Sequence, residues 1–150
     1  MISYRDMISL DIPVLAGLEK EIYPESPWSP AQFREELSGV PRTRKYVVAL
    51  DNQEIVGYGG VALAGDVADI HTLTVIPSYR REGIATLMLQ ELESWAISKG
   101  INNFMLEMRE GNLEAQPLYE KYGYQVISRR DNYYAPGIHA LIMRKEVKDV

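Results

Sequence analysis

The hydrophobic period of this chain changes once, and abruptly, in its middle third. Lys45–Leu50, Ile55–Leu63 and Asp69–Ile76 are three short runs rich in β-branched and aromatic residues, the first two separated by the turn residues Asp51-Asn52-Gln53. Pro77 stops the third, because proline has no N–H to give to a sheet. From Gly83 to Lys99 the spacing is helical instead. Ile84, Leu87, Met88, Leu92, Trp95 and Ala96 recur on one face, and Gly100 ends the run. A chain that moves between strand and helix in this way folds as α/β.

The flanks fit the same class. Ile2–Arg5 predicts a first strand. Asp11 before Ile12-Pro13 predicts a helix N-cap with proline in the first turn, and Leu10, Val14, Leu15, Leu18 and Ile22 predict one apolar face running to about Tyr23. Ser29-Pro30-Ala31-Gln32 is a capping box, which predicts a short second helix ending near Gly39. Phe104–Met108 predicts a strand. A helix from Asn112 to Gly123 follows, with Pro117 expected to remove one donor and bend it. Tyr124–Arg129 and His139–Arg144 predict the last two strands. The order is β-α-α-β-β-β-α-β-α-β-β, a single domain over residues 1–150 with a mixed sheet.

Composition narrows the function. Sixteen basic residues against 21 acidic ones give a net charge of −5, which argues against direct binding of nucleic acid. There is no cysteine, so disulfides and a thiol nucleophile are excluded, and a reducing cytoplasm fits. Arg5, Asp6, Asp11 and Glu19 interrupt the N-terminal region, so it does not read as a secretory signal. No apolar run approaches the roughly 20 residues of a membrane helix. His71 and His139 are too far apart in sequence to read as a metal site, so no metal is expected and each is read as a strand residue with a hydrogen-bond partner.

The segment Leu73–Thr86 carries the chemistry. A strand ends, a loop turns, and a helix begins at Gly83. The first turn of a helix has unpaired N–H groups and a partial positive charge, so it can hold a phosphate. Arg80 and Arg81 add charge beside it. Two nucleotide-binding motifs are absent: there is no G-x-x-x-x-G-K-[ST], and no G-x-G-x-x-G follows a strand. Read locally, this remains either an anion site or an ordinary corner with two solvated arginines.

Arg80-Arg81-Glu82-Gly83-Ile84-Ala85 resembles the [QR]-x-x-G-x-[GA] signature of the GCN5-related N-acetyltransferase (GNAT) family. His71–Pro77 is similar to that family's fourth strand. Leu106-Glu107-Met108-Arg109, Asn112 and Leu118–Tyr124 are similar to its fifth strand and the helix after it. Pro27-Trp28-Ser29 and Asn132-Tyr133-Tyr134 resemble the RimI-type ribosomal-protein-alanine N-acetyltransferases within it. The strong matching covers residues 69–124, with weaker matching over nearly all the rest.

The resemblance implies a mixed, mainly antiparallel sheet flanked by helices, with the fourth and fifth strands splayed. It implies direct transfer of an acetyl group from acetyl-CoA, as co-substrate, to a protein N-terminal amine, the N-terminal alanine of a small-subunit ribosomal protein. A lysine side chain or a small amine as acceptor, and a noncatalytic acyl-CoA-binding module, are the alternatives. It also implies that Arg81, Glu82, Gly83, Ile84, Ala85 and Thr86 hold the pyrophosphate. The strand backbone at Leu73, Thr74 and Val75 holds the pantetheine and acetyl carbonyl, and Asn112 and Lys121 add cofactor contacts.

The resemblance assigns Glu107 as general base and Tyr119 as general acid for the thiolate. Read locally, Glu107 is a solvent-facing residue beside Arg109 and Tyr119 a core aromatic. A phenol with a pKa of about 10 keeps its proton at neutral pH and can donate it. Tyr133 and Tyr134, near the last hairpin, line the acceptor groove by the same resemblance. Glu25, in the Pro24-Glu25-Ser26-Pro27 loop, is read as facing the acceptor.

Overall fold

A computed structural model describes residues 1–148. Seven strands form one sheet in the order β1-β2-β3-β4-β5-β7-β6. They are β1 (Ile2–Asp6), β2 (Arg44–Asp51), β3 (Glu54–Ala64), β4 (Val67–Val75), β5 (Asn103–Arg109), β6 (Gln125–Ala135) and β7 (Ile138–Glu146). The helices are α1 (Ile12–Ile22), α2 (Pro30–Leu37), α3 (Ile84–Ser98) and α4 (Ala115–Lys121). The order predicted from the sequence is the order observed. All neighbouring strands are antiparallel except β4 and β5.

Alternation along β2 divides the core between the two faces of the sheet. Val47 and Ala49 point toward α3, where Met88, Leu89, Leu92 and Ala96 are buried. Tyr46 and Val48 point the other way, into a cluster with Leu15 of α1, Phe33 of α2 and Tyr58 of β3. Burying each large apolar side chain contributes about 1.5–3 kcal/mol, so helices that are individually short are held by packing. Gly60 is required by that packing. A Cβ there would lie 2.2 Å from the Tyr46 ring.

The parallel pair is the feature that positions the site. β4 and β5 are in register from Val67–Asn103 only as far as Ile70–Leu106. Beyond Ile70 the strands part, so the predicted splay is present. On its other side β4 slips its register against β3 between Tyr58 and Gly60, and Thr72 takes a left-handed φ of +45° in the slipped stretch. A bulge of this kind bends its strand and increases its twist, which fits the parting of β4 from β5.

Several local expectations are corrected. Ser9–Asp11 form a 3-10 turn before α1, so Leu10 leaves the apolar face and is 83% exposed, as Val14 is at 53%. Asp11 caps with no side-chain bond to α1. Its carboxylate instead accepts from Arg5 at 2.8 Å and from the Ile8 N–H at 2.9 Å. Burial pushes that carboxyl up, but the Arg5 and Ile8 bonds outweigh it and hold it below the ordinary value. The buried stripe of α3 steps through Ile84, Met88, Leu92 and Ala96 with Leu89 beside them, which leaves Leu87 on the solvent flank.

The helix expected from Asn112 begins at Ala115. Pro117 is therefore its third residue, in the first turn, where a missing N–H takes no bond from the helix. The loss and bend expected at Pro117 do not arise. β6 runs on through Asn132-Tyr133-Tyr134 instead of ending at Arg129, with its pairing to β7 irregular between Arg130 and Ala135. It is exposed along nearly its whole length.

Candidate active site

Two adjoining cavities open where β4 and β5 part. The larger, of about 640 Å³, is lined by Glu107, Tyr133 and Tyr134 and by Glu19, Asp69, His71 and Arg109. The smaller, of about 260 Å³, is lined by Leu73, Thr74, Val75, Arg81, Gly83, Ile84, Ala85 and Thr86. Tyr23, Leu73, Asn112, Ala115 and Tyr119 line both. The structure thus gathers most of the residues singled out in the sequence around one junction. Glu82, Lys121 and Glu25 are exposed and line neither cavity.

The smaller cavity is built from backbone. Arg81 and Gly83 both take left-handed conformations, φ +67° and +81°. Left-handed residues in such a turn make a concavity of N–H groups that suits an anion. Gly83 is the N-cap of α3, and no side chain caps that helix. Arg80 donates from Nε to the carbonyl of Val75 at 3.0 Å, so it braces the end of β4. Arg81 is 82% exposed and lies 3.6 Å from Glu114.

The larger cavity is built from side chains and is acidic on balance. Glu107 projects from the face of β5 opposite the buried Leu106 and Met108, as alternation predicts. Its carboxylate lies beside Tyr133 and, together with burial, raises the Tyr133 phenol above the ordinary value. Arg130 stands 3.9 Å from it. Asp69 lies on the neighbouring strand, and burial, reinforced by the charge of Glu107, raises its carboxyl above the ordinary value.

Tyr119 stands at the junction. Its ring packs edge-on against Tyr124, with centroids 5.9 Å apart, and it is only 7% exposed. Burial, with Tyr23 and Tyr134 nearby, pushes its phenol well above the ordinary tyrosine value. It therefore keeps its proton at neutral pH. Asn112 accepts the N–H groups of Glu114 and Ala115 at 3.2 and 3.0 Å, which fixes the entry into α4 and so the placement of Tyr119.

His71 and His139 have the partners expected of strand histidines. Nδ1 of His71 is 2.8 Å from the Tyr46 hydroxyl, and Nδ1 of His139 accepts the Asn132 N–H at 2.9 Å. Among the described residues no group of three or more acidic, histidine or cysteine side chains is placed to hold a metal ion.

Glu19, Tyr23, Asp69 and Arg109 were not singled out as site residues from the sequence. Glu19 had a signal, since it stands four residues after Leu15 on the buried face of α1. Its carboxylate accepts from Trp28 N at 2.8 Å, Tyr58 Oη at 2.6 Å and Thr72 Oγ1 at 3.1 Å. Tyr23 reaches Thr74 Oγ1 at 2.8 Å. Both contacts tie α1 to the bulged part of β4. Arg109 also had a signal, being two residues after Glu107 on the same face of β5.

A splayed parallel pair beside an uncapped helix N-terminus, with a glutamate and a tyrosine around the gap, agrees with the family comparison. Residues 13–124 match the acetyltransferase (GNAT) family, and the chain belongs to that family. The N-alpha-acetyltransferase RimI of Mycobacterium tuberculosis is 34% identical over 140 residues, 89% of this chain and 85% of that protein. A Bacillus subtilis protein named putative [ribosomal protein bS18]-alanine N-acetyltransferase is 33% identical over 93% of this chain and 91% of its own length. An uncharacterised protein of Mycobacterium leprae is 34% identical over 92% of this chain, which spans only 39% of that longer relative. The crystal structure of the Escherichia coli ribosomal-protein-S18-alanine N-acetyltransferase matches with a TM-score of 0.83 over 100% of this chain and 99% of that one. At 23% identity that likeness shows the fold. No helix among the described residues is long and apolar enough to cross a membrane.

Proposed function

We propose that this chain transfers the acetyl group of acetyl-CoA to the N-terminal α-amine of a protein, its acceptor being the N-terminal alanine of a small-subunit ribosomal protein in the cytoplasm. The observation that carries this reading is the meeting of two chemically different cavities at Tyr119. The names of the relatives from Mycobacterium tuberculosis and Bacillus subtilis support the acceptor.

The residues around the smaller cavity fit the co-substrate. The left-handed backbone at Arg81 and Gly83 and the uncapped start of α3 suit a pyrophosphate. The stretch of β4 at Leu73–Val75, paired with β3 but not with β5, offers backbone groups on its β5 side to an amide-bearing arm. Asn112 is committed to the α4 turn through its Oδ1, so any contact it makes to the co-substrate comes from another atom. Bound there, acetyl-CoA supplies an acetyl thioester.

The protein's own groups then divide the proton work. Glu107 accepts a proton from the acceptor ammonium, directly or through water. Tyr119, which lines both cavities, holds on its hydroxyl the proton that a departing sulfur needs. An α-amine has a pKa of about 7.7–8.0 against about 10.4 for lysine, so one glutamate suffices for it. Glu19, Asp69 and Glu107 around the larger cavity suit a cationic chain terminus.

The test is acetylation of a panel of peptides that differ only in the first two residues, followed by release of free coenzyme A. Turnover that is greatest for an alanine start is expected. Transfer to lysine side chains alone, or none to any amine, would overturn the reading.

A further inference from the structure

Arg109 stands in the larger cavity, yet the proton chemistry above gives it no task. Its guanidinium carbon lies 4.3 Å from the ring centre of Tyr23 and 4.3 Å from that of Tyr134. It also donates to the Ser26 hydroxyl. Tyr23 and Ser26 belong to the connection between α1 and α2, whereas Tyr134 lies at the end of β6. One side chain thus ties the connection between α1 and α2 to the end of β6. Its Nε is buried and has no partner. An arginine in that state is held against two aromatic rings and by one end of its fork, a combination that lysine has no means to copy.

We propose that Arg109 is a positioning residue that clamps the α1–α2 connection to the end of β6, so that the acceptor N-terminus meets a preformed opening. The inference rests on reading the larger cavity as the acceptor site. The tie also reaches the proposed base. Tyr133 packs edge-on against Tyr134 at 5.0 Å, and Arg130, which lies over the Tyr133 ring, stands 3.9 Å from Glu107. Arg109 therefore acts through aromatic neighbours, without touching the reacting atoms.

The experiment compares Arg109→Met and Arg109→Lys with the parent. Hydrogen exchange without substrates is read first. Residues 23–29 and 131–138 are expected to exchange about tenfold faster in both variants while the rest of the sheet is unchanged. Kinetics with an alanine-starting peptide are read next. The peptide KM is expected to rise about tenfold, with the acetyl-CoA KM within about twofold and kcat lowered less than about threefold. Unchanged exchange in the two segments, full rescue by lysine, or an equal effect on both substrates would overturn the clamp. If Arg109→Met does not fold, Tyr23→Leu and Tyr134→Leu each remove one stacking face, and the segment opposite the substitution must still loosen. A parent that acetylates no α-amine would overturn the proposed function, and the exchange data would still decide the clamp.

Discussion

The buried Glu19 carboxylate on α1 accepts the hydroxyl of Tyr58 on β3 at 2.6 Å, and the same oxygen accepts Thr72 at the bulge of β4. A helix and two strands converge on one side chain. Glu19→Ala strands three donors, the third being the Trp28 N–H. A donor left unsatisfied costs about 1–3 kcal/mol. The variant is expected to lose about 3 kcal/mol or more in all, and its Tm to fall by roughly 6–12 °C for a chain of this size. Calorimetric melting checks this, and a Tm within a degree or two of the parent would contradict the convergence.

Gly83 gives a different kind of prediction. A Cβ at this position would meet no protein atom within 4 Å, so the protein's own packing is not the constraint. The constraint is φ of +81°, which costs an ordinary residue about 1–2 kcal/mol and a β-branched one more. Gly83→Val is expected to relax the loop and weaken acetyl-CoA binding about tenfold or more, equivalent to about 1.4 kcal/mol. The fold is expected to survive. Titration calorimetry on the folded variant measures it, and an unchanged affinity would remove the loop from the binding site.

Glu107→Gln keeps the shape of the proposed base and removes its charge. Turnover is expected to fall by roughly 10²–10³ with acetyl-CoA affinity unchanged. The deficit is expected to shrink as pH rises above about 8, where the acceptor α-amine is already neutral. A pH series of kcat for both proteins reads this directly. Parent-like turnover at neutral pH would move the search for a base to Asp69, on the strand beside it.

Tyr119→Phe separates catalysis from packing. The substitution leaves the ring against Tyr124 and deletes one oxygen, so it removes little of what holds the side chain in place. Melting temperature and acetyl-CoA affinity are expected to stay near those of the parent, with turnover about 10²-fold lower. A variant that loses stability and keeps its rate per molecule would make Tyr119 a core aromatic only.

The element order and the Ser29–Gln32 capping box were legible because each rests on local spacing, and the box is present with Gln32 N bonded to Ser29 Oγ at 3.2 Å. Glu107, Tyr119 and the Gly83 loop were legible through resemblance, since periodicity alone describes Glu107 as solvent-facing and Tyr119 as core. Leu10 and Leu87 were misread because a helical wheel has no knowledge of a preceding 3-10 turn or of which flank a sheet covers. Glu19 and Arg109 were passed over for a deeper reason. Their significance lies largely in partners distant in the chain, Tyr58 39 residues from Glu19 and Ser26 83 residues from Arg109, and no local pattern encodes such pairs.

The exposed edge of β6 has a consequence for solubility. An uncovered sheet margin invites another chain to add a strand, and this one also carries Val126 and Ile127 facing water. No helix among the described residues covers it, and the proposed acceptor opening at Tyr133 and Tyr134 lies along the same strand. Protection falls instead to charge. Arg129 pairs with Glu110 at 2.9 Å and Asp131 at 3.2 Å, and Arg130 follows it in the strand. A stranger's backbone would have to strip those ions of water and partners before pairing. Neutralising Arg129 and Arg130 would thus turn an open margin into a seed for aggregation.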